Sequence, residues 1–133
     1  MKHATSNFVQ VNNINLHYLD HKNNGIPLLL MHGLTANAYA FDGLVAEGIT
    51  DTFRLISPDL RGRGLSDHPA FCYTIADHAQ DMIELLDHLK IDKIILGGHS
   101  FGGLLSFYIA STFPERVTKV IILDAAAQMN PNA

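Results

Sequence analysis

Four short, mainly apolar runs limit most strongly how this chain can fold. They are PLLLM (27–31), FRLISP (53–58), KIIL (93–96) and VTKVIIL (117–123), and each stops beside a glycine, an aspartate or a histidine-glycine pair. A strand with one wet face alternates apolar and polar residues, whereas a strand covered on both faces is apolar along its length. The runs therefore predict a parallel sheet that is covered on both faces.

Helical patterns separate these runs. The pattern of residues 74–91 predicts a helix, because apolar side chains recur there at helical spacing. These side chains are Ile75, Ala79, Ile83, Leu86 and Leu89. Thr74 can cap its start, with Asp77 three residues further on. A second helix is expected from residue 101 to near Pro114, and a shorter one over 35–48. Strands that alternate with helices predict a doubly wound, mostly parallel α/β sheet.

The N-terminal segment has a different pattern. FVQVNNINLHYLD (8–20) alternates apolar and polar residues around Asn12 and Asn13, which predicts an antiparallel hairpin with one wet face. The chain has 133 residues, of which 47% are hydrophobic and 17% charged, as expected for one globular domain over residues 1–133.

Composition also bears on partners, cofactors and location. The net charge is −4 and there is no basic stripe, so no nucleic-acid partner is expected. The apolar runs are too short for a membrane helix and the N-terminus has no apolar signal core, so we expect no membrane partner and a cytoplasmic protein. Cys72 is the only cysteine, and the eight histidines form no zinc motif. We therefore expect neither a metal nor another cofactor.

The string GGHSFGG (97–103) follows the run KIIL and opens a predicted helix. It contains G-x-S-x-G, formed by Gly98, Ser100 and Gly102, in the strand–turn–helix context of a nucleophile elbow. Such a turn is strained and places the serine at a helix N-terminus, where the helix dipole favours negative charge. The alternatives are a glycine-rich turn with an incidental serine or a phosphate loop, but a Walker lysine and G-x-G-x-x-G spacing are both missing.

Two more strings follow strand ends. MHGL (31–34) follows the first apolar run, and DLRGRGLS (59–66) follows the second. Ligands of open α/β sheets bind at the carboxyl ends of strands, so the three strings are expected to meet there. With these strings in this order and spacing, the chain from about Phe8 to Asp124 resembles the α/β-hydrolase superfamily. The resemblance is greatest to its esterase, lactonase and carbon–carbon hydrolase branch.

This resemblance implies an enzyme that acts on a small acyl substrate: an ester, a lactone, a thioester or an activated carbon–carbon bond. Ser100 is the implied nucleophile, and the backbone N–H groups of Leu34 and Phe101 form the implied oxyanion hole. Haloalkane dehalogenases and epoxide hydrolases of this fold carry aspartate at the elbow, whereas this chain carries Ser100 there. Cofactor-free perhydrolysis on the same triad is an alternative activity.

The remaining motif residues are expected to be structural. His32 and Gly33 shape the loop that carries Leu34, and His32 is interpreted as a brace rather than a base. Asp59 and Arg61 are expected to hold the loop of the second string. His99 fills the variable position of the elbow, where the side chain of relatives points away from the nucleophile.

The base that would activate Ser100 is harder to place. In this fold the nucleophile is followed by an acid and then by a histidine. No histidine follows Ser100, and the carboxylates that do are Glu115, expected at the surface, and Asp124, a possible acid at the end of the last strand.

The resemblance thus implies an α/β-hydrolase fold that lacks its last strands and its lid. Three explanations stand: a truncated product, which we favour; a natural short chain that pairs with another chain; and a noncatalytic binding or signalling module. The run VTKVIIL would be an edge strand with few charges, so we expect a homo-oligomer or pairing with a missing C-terminal half.

Overall fold

The structure is a computed structural model that describes residues 4–123. These residues form a six-stranded mixed sheet in the order β1–β2–β4–β3–β5–β6, which confirms the predicted fold class. The strands are β1 (Thr5–Val11), β2 (Ile14–Asp20), β3 (Ile26–Met31), β4 (Phe53–Pro58), β5 (Ile94–His99) and β6 (Val117–Leu123). Strands β3 to β6 pair in parallel, and β2 joins them antiparallel to β4.

The N-terminal hairpin forms as predicted. Asn12 and Asn13 both have positive φ, 45° and 66°, the conformation that a two-residue hairpin turn requires and that asparagine tolerates. The prediction of one wet face holds for β1 but is wrong for β2, most of which is buried. The reason is that the second face of β2 is covered as well, since His17 on that face contacts Ser6 and Asp59 and is fully buried.

Three helices connect the strands: α1 (Asp42–Ala46), α2 (Ile75–His88) and α3 (Phe101–Thr112). The predicted cap of α2 is present, since the side chains of Thr74 and Asp77 each accept from the other's backbone N–H. The single short helix predicted over 35–48 is wrong in part, because a 3-10 turn (Ala38–Phe41) precedes α1. Asn37 caps that turn by accepting from the Tyr39 N–H.

Successive residues of β3 face opposite cores, which is why the apolar run is continuous. Leu29 and Met31 pack in the larger cluster with α2 and α3. Leu28 and Leu30 pack in the smaller cluster with Phe41, beneath α1. Both faces of the sheet are therefore covered, as predicted. No helix of the described residues is long and apolar enough to cross a membrane.

The strand order reverses at β3, and this reversal positions the candidate site. The chain passes from β3 to β4 on one side and then crosses to β5 on the other side. Met31, at the end of β3, pairs with Gly98, near the end of β5. The loops that follow these two strands therefore emerge side by side, at the place where open α/β sheets bind ligands.

Candidate active site

Ser100 occupies the turn between β5 and α3 in a conformation that L-residues rarely adopt. Its φ is 56° and its ψ is −115°. Its carbonyl oxygen accepts from the N–H groups of Gly103 and Leu104, at 2.9 and 3.2 Å, and so begins α3. Ser100 thus lies at the positive end of the α3 dipole, which favours an oxygen that gains negative charge.

The glycines on either side of Ser100 are required for space. A Cβ on Gly98 would overlap the backbone of Gly102, and a Cβ on Gly102 would overlap the backbone of Met31. Neither glycine has a positive φ. The two glycines therefore allow the start of α3 to pack directly on the ends of β3 and β5, on either side of the strained turn.

The loop after β3 passes beside the serine. A Cβ on Gly33 would lie 3.5 Å from the Cβ of Ser100 and 3.5 Å from Nδ1 of His99. The next residue, Leu34, is 55% exposed. The N–H groups of Leu34 and Phe101 donate to no other residue within 4–123. Neither of these N–H groups is therefore committed to another described residue.

His32 connects two loops through both of its ring nitrogens. Nε2 accepts from the Leu60 N–H at 3.0 Å, so Nδ1 carries the proton and donates to the Gly33 carbonyl at 2.7 Å. Burial lowers the pKa of His32 below its ordinary value, which keeps the ring neutral. A ring with both nitrogens occupied in this way is not placed to take a proton from Ser100.

Asp59 holds three segments together. Its carboxylate accepts from the N–H groups of Ala38 and Leu65 at 2.7 and 2.9 Å, and it lies 2.7 Å from Nδ1 of His17. The other nitrogen of His17 lies 2.6 Å from the hydroxyl of Ser6. Ser6 of this Ser–His–Asp arrangement lies in strand β1 rather than at a helix N-terminus, so we interpret the three side chains as a buried network that joins β1 and β2 to the loop after β4.

Arg61 forms a buried ion pair. Its Nε and Nη2 donate to the two carboxylate oxygens of Asp81, each at 2.7 Å, and Nη1 donates to the Cys72 carbonyl. The bonds to Asp81 raise the pKa of Arg61. Asp81 also accepts from the side chain of Asn12. Arg61 therefore ties the loop after β4 to α2 and, through Asp81, to the hairpin turn.

Sequence reasoning missed Arg63, which contacts both proposed oxyanion-hole residues. Its Nε donates to the Leu34 carbonyl at 3.1 Å, and its guanidinium carbon lies 5.8 Å from the centre of the Phe101 ring. Its Nη1 donates to the Arg61 carbonyl at 2.7 Å and to Nε2 of His78 at 2.9 Å. The only signal in the sequence is a cation at the variable position of D-x-R-G-x-G.

His78 was also missed, because it lies within α2, far from any motif. Its Nδ1 donates to the Thr74 carbonyl at 2.7 Å, and its ring meets the Phe101 ring edge-on at 5.0 Å between centres. Burial, and then the charge of Arg63, lower the pKa of His78. Because Arg63 donates to the other nitrogen, protonation of His78 would break that bond.

These two neutral histidines predict a loss of stability in mild acid. The pKa values of His32 and His78 are lowered on folding, so below about pH 6.5 the unfolded chain binds protons that the folded chain excludes. The stabilisation is complete above that pH and is lost as the pH falls toward the folded-state pKa values. Thermal unfolding from about pH 8 to pH 5 should show Tm falling over the lower part of this range.

His78→Gln should reduce the slope of Tm against pH, since it removes one of the three histidines whose pKa is lowered on folding, the third being His21. A Tm that stays constant from about pH 6.5 to pH 5 would show that neither ring resists protonation.

The structure brings Ser100 together with the loop of Gly33 and Leu34, while the side chains of Asp59 and Arg61 hold the neighbouring loop. Asp124, the possible acid, lies outside the described residues. No group of three or more histidine, cysteine, aspartate or glutamate side chains within 4–123 is arranged to hold a metal ion. A cavity of about 1340 Å³ opens beside α1, but no residue of the elbow lines it. We therefore place the candidate site at Ser100, on chemistry rather than cavity size.

The comparisons agree with this fold. A family profile described as alpha/beta hydrolase fold matches residues 26–133. The chain therefore belongs to the α/β-hydrolase family. Solved structures similar to it include an epoxide hydrolase of Vigna radiata, with a TM-score of 0.85 and 28% identity, over 92% of this chain and 39% of that one. Another is epoxide hydrolase A of Mycobacterium thermoresistibile, with a TM-score of 0.83 and 27% identity, over 91% and 39%.

Curated relatives have several activities. A soluble epoxide hydrolase of Corynebacterium sp. (strain C12) is 33% identical over 90% of this chain and 41% of its own length. A 2-(acetamidomethylene)succinate hydrolase of Mesorhizobium japonicum is 35% identical over 92% of this chain and 43% of its own length. The chain thus spans less than half the length of these relatives.

Proposed function

We propose that the chain carries the nucleophile and the oxyanion hole of a serine hydrolase acting on a small ester, lactone, thioester or activated carbon–carbon bond. The conformation of Ser100 supports this proposal most directly, with φ at 56° at the start of α3 between two glycines that admit no Cβ. Strain of this kind is retained where the surrounding structure and the function require it. The hydrolases among the relatives support the general class of activity.

In the proposed reaction, the hydroxyl oxygen of Ser100 bonds to the acyl carbon while its proton passes to a base. The carbonyl oxygen becomes an oxyanion that accepts from the N–H groups of Leu34 and Phe101. The leaving group departs with a proton, and water then hydrolyses the acyl-enzyme. Gly33 supports this geometry, because it presents no side chain between the Leu34 loop and Ser100.

We infer that the base comes from polypeptide other than these 133 residues. No histidine follows Ser100 in the sequence, whereas the family's chain order places the base after the nucleophile. His32 is committed to Gly33 and Leu60. The greater length of the relatives is consistent with this inference. The chain alone should therefore react slowly, with the residual rate that an oxyanion hole can sustain without a complete triad.

Reaction with a fluorophosphonate tests the nucleophile. We expect label on Ser100, located by peptide mass spectrometry, and complete loss of that label in Ser100→Ala. Ser6→Ala is the matched control, because the hydroxyl of Ser6 lies 2.6 Å from a ring nitrogen of His17. Labelling of Ser100 should be unchanged in this control.

Label that follows Ser6, or any serine other than Ser100, would contradict the assignment. A folded chain that never reacts, even when supplied with the rest of a related hydrolase, would favour the noncatalytic binding module instead.

Perhydrolysis is the second candidate activity. A relative that supports this candidate is a putative non-heme haloperoxidase of Mycobacterium phage D29. It is 35% identical over 77% of this chain and 37% of its own length. Both activities proceed through acylated Ser100, so labelling does not separate them. The products released when a preformed acyl-enzyme meets both water and hydrogen peroxide separate the two activities. A hydrolase should release mainly the acid, and a perhydrolase mainly the peracid.

We also propose that another polypeptide surface covers β6. Val117–Leu123 lies at the edge of the sheet, paired on one side to β5. Lys119 is the single charged residue in the strand, and Ile121 is 38% exposed. An apolar edge of this kind favours pairing, so we expect a second copy of the chain or a further segment of hydrolase fold to occupy it.

A further inference from the structure

Arg63 is the exception among the four arginines of the chain. The other three are each paired with an aspartate: Arg54 with Asp20, Arg61 with Asp81 and Arg116 with Asp87, at 2.7–2.9 Å. No carboxylate of the described residues lies within 4 Å of the Arg63 guanidinium. The positive charge of Arg63 is therefore not balanced by a direct ion pair in this part of the chain.

Neutral groups hold this cation in place. The carbonyls of Leu34 and Arg61 and Nε2 of His78 accept from its Nε and Nη1. The side chain is half-buried, and the loss of solvent lowers the pKa of Arg63 although it remains a cation at neutral pH. Partial burial of a charge without an opposite charge is unfavourable, so the surroundings of Arg63 favour the arrival of an anion.

The geometry leaves one nitrogen of Arg63 to meet that anion. Nη2 carries two N–H groups, and no described residue accepts from them. No buried side-chain nitrogen or oxygen within 4–123 lacks a partner, so Nη2 must reach solvent. A ligand can therefore approach Nη2 without displacing the three bonds that fix the guanidinium.

The position of Arg63 connects this anion site to the elbow. Arg63 binds the carbonyl of Leu34 and lies over the ring of Phe101, the two residues whose N–H groups we assign to the oxyanion hole. We propose that Nη2 of Arg63 binds a carboxylate of the substrate, so that the preferred substrates are acyl compounds with a free carboxylate close to the reacting carbonyl. This inference rests on the proposed hydrolase function. A monoester of a short dicarboxylic acid has the required chemistry, since guanidinium groups form strong, oriented hydrogen bonds to carboxylates.

A binding titration tests the site without requiring catalysis. Succinate is added to the isotopically labelled chain, and the Nε–H signal of Arg63 and the amide signals of Leu34 and Phe101 are followed by NMR. We expect saturable shifts with succinate and much smaller shifts with succinamide, which has the same shape without the charge. Equal shifts with the acid and the amide would overturn the proposal.

Arg63→Gln should weaken succinate binding by about tenfold or more, the usual loss for a hydrogen bond to a charged group. Arg63→Lys retains the charge but loses the planar guanidinium, which can donate two parallel hydrogen bonds to a carboxylate. This variant should therefore bind succinate more weakly than the parent but better than Arg63→Gln. Arg116→Gln is the matched control, because Arg116 pairs with exposed Asp87 and should leave the affinity unchanged. Unchanged affinity in Arg63→Gln, or an equal loss in Arg116→Gln, would also overturn the proposal.

This result is separable from the hydrolase assignment. The titration forms no covalent bond, so succinate binding that requires Arg63 supports the anion site even where fluorophosphonate does not label Ser100. Conversely, a labelled Ser100 with no charge-dependent succinate binding rejects the carboxylate site and leaves the nucleophile in place.

Discussion

Gly102→Ala should destabilise the chain by about 3 kcal/mol or more, at or beyond the upper end of the usual cost of overpacking. The new methyl group would overlap the backbone of Met31, at the end of the central strand β3, and backbone cannot rotate away as a side chain can. Folded domains are stable by only about 5–15 kcal/mol, so a loss of this size removes much of the margin. Thermal and urea unfolding of the variant measure it directly.

The neighbouring glycine provides the control. A Cβ on Gly103 would lie at an ordinary contact distance, 3.5 Å from the nearest atoms. Gly103 is inside α3, where alanine favours the helix by up to about 1 kcal/mol over glycine. Gly103→Ala should therefore unfold like the parent or slightly later. If Gly102→Ala and Gly103→Ala unfold together, the close packing of α3 on β3 does not set the geometry of the elbow.

The sequence predicts the elements that depend on local signals. The cap of α2 needs only Thr74 and Asp77, and the hairpin turn needs only two adjacent asparagines. The elbow is likewise local, because its glycines stand within two positions of Ser100. For these elements the pattern in the chain and the geometry in space describe the same few residues.

The elements that were missed depend on contacts between distant residues. The burial of the second face of β2 follows from the contact of His17 with Asp59, which lies 42 residues further along the chain. Arg63 contacts Leu34, which is 29 residues away in the sequence, and His78, which is 15 residues away. Neither separation corresponds to the repeat of a helix or a strand. A lone arginine in a variable motif position gives no indication of its partners. The three-dimensional contacts alone show that the other three arginines pair with aspartates and that Arg63 pairs with none within residues 4–123.

The two edge strands of the sheet differ in polarity, and this difference predicts that the chain associates through β6. β1 forms one edge with the sequence TSNFVQV, in which polar side chains are frequent. β6 forms the other edge with VTKVIIL, and α3, which packs on it, carries no charged residue. Leu104 and Phe107 of α3 are 60% and 56% exposed. Within residues 4–123, the β6 side therefore combines an open strand edge with neighbouring apolar surface.

Sedimentation velocity at micromolar concentration and low salt should therefore show the chain as a dimer or larger species. Ile121→Lys adds a second charge to the edge and removes an apolar side chain from the contact. Burial of an isoleucine side chain in the contact stabilises the associated form by about 1.5 kcal/mol or more, so its loss should raise the dissociation constant at least about tenfold. Phe8→Lys, on the opposite edge, replaces another half-exposed apolar residue and should leave association unchanged. A parent chain that sediments as a monomer and unfolds cooperatively would show instead that these residues close their core unaided, because an uncovered apolar edge would otherwise drive association.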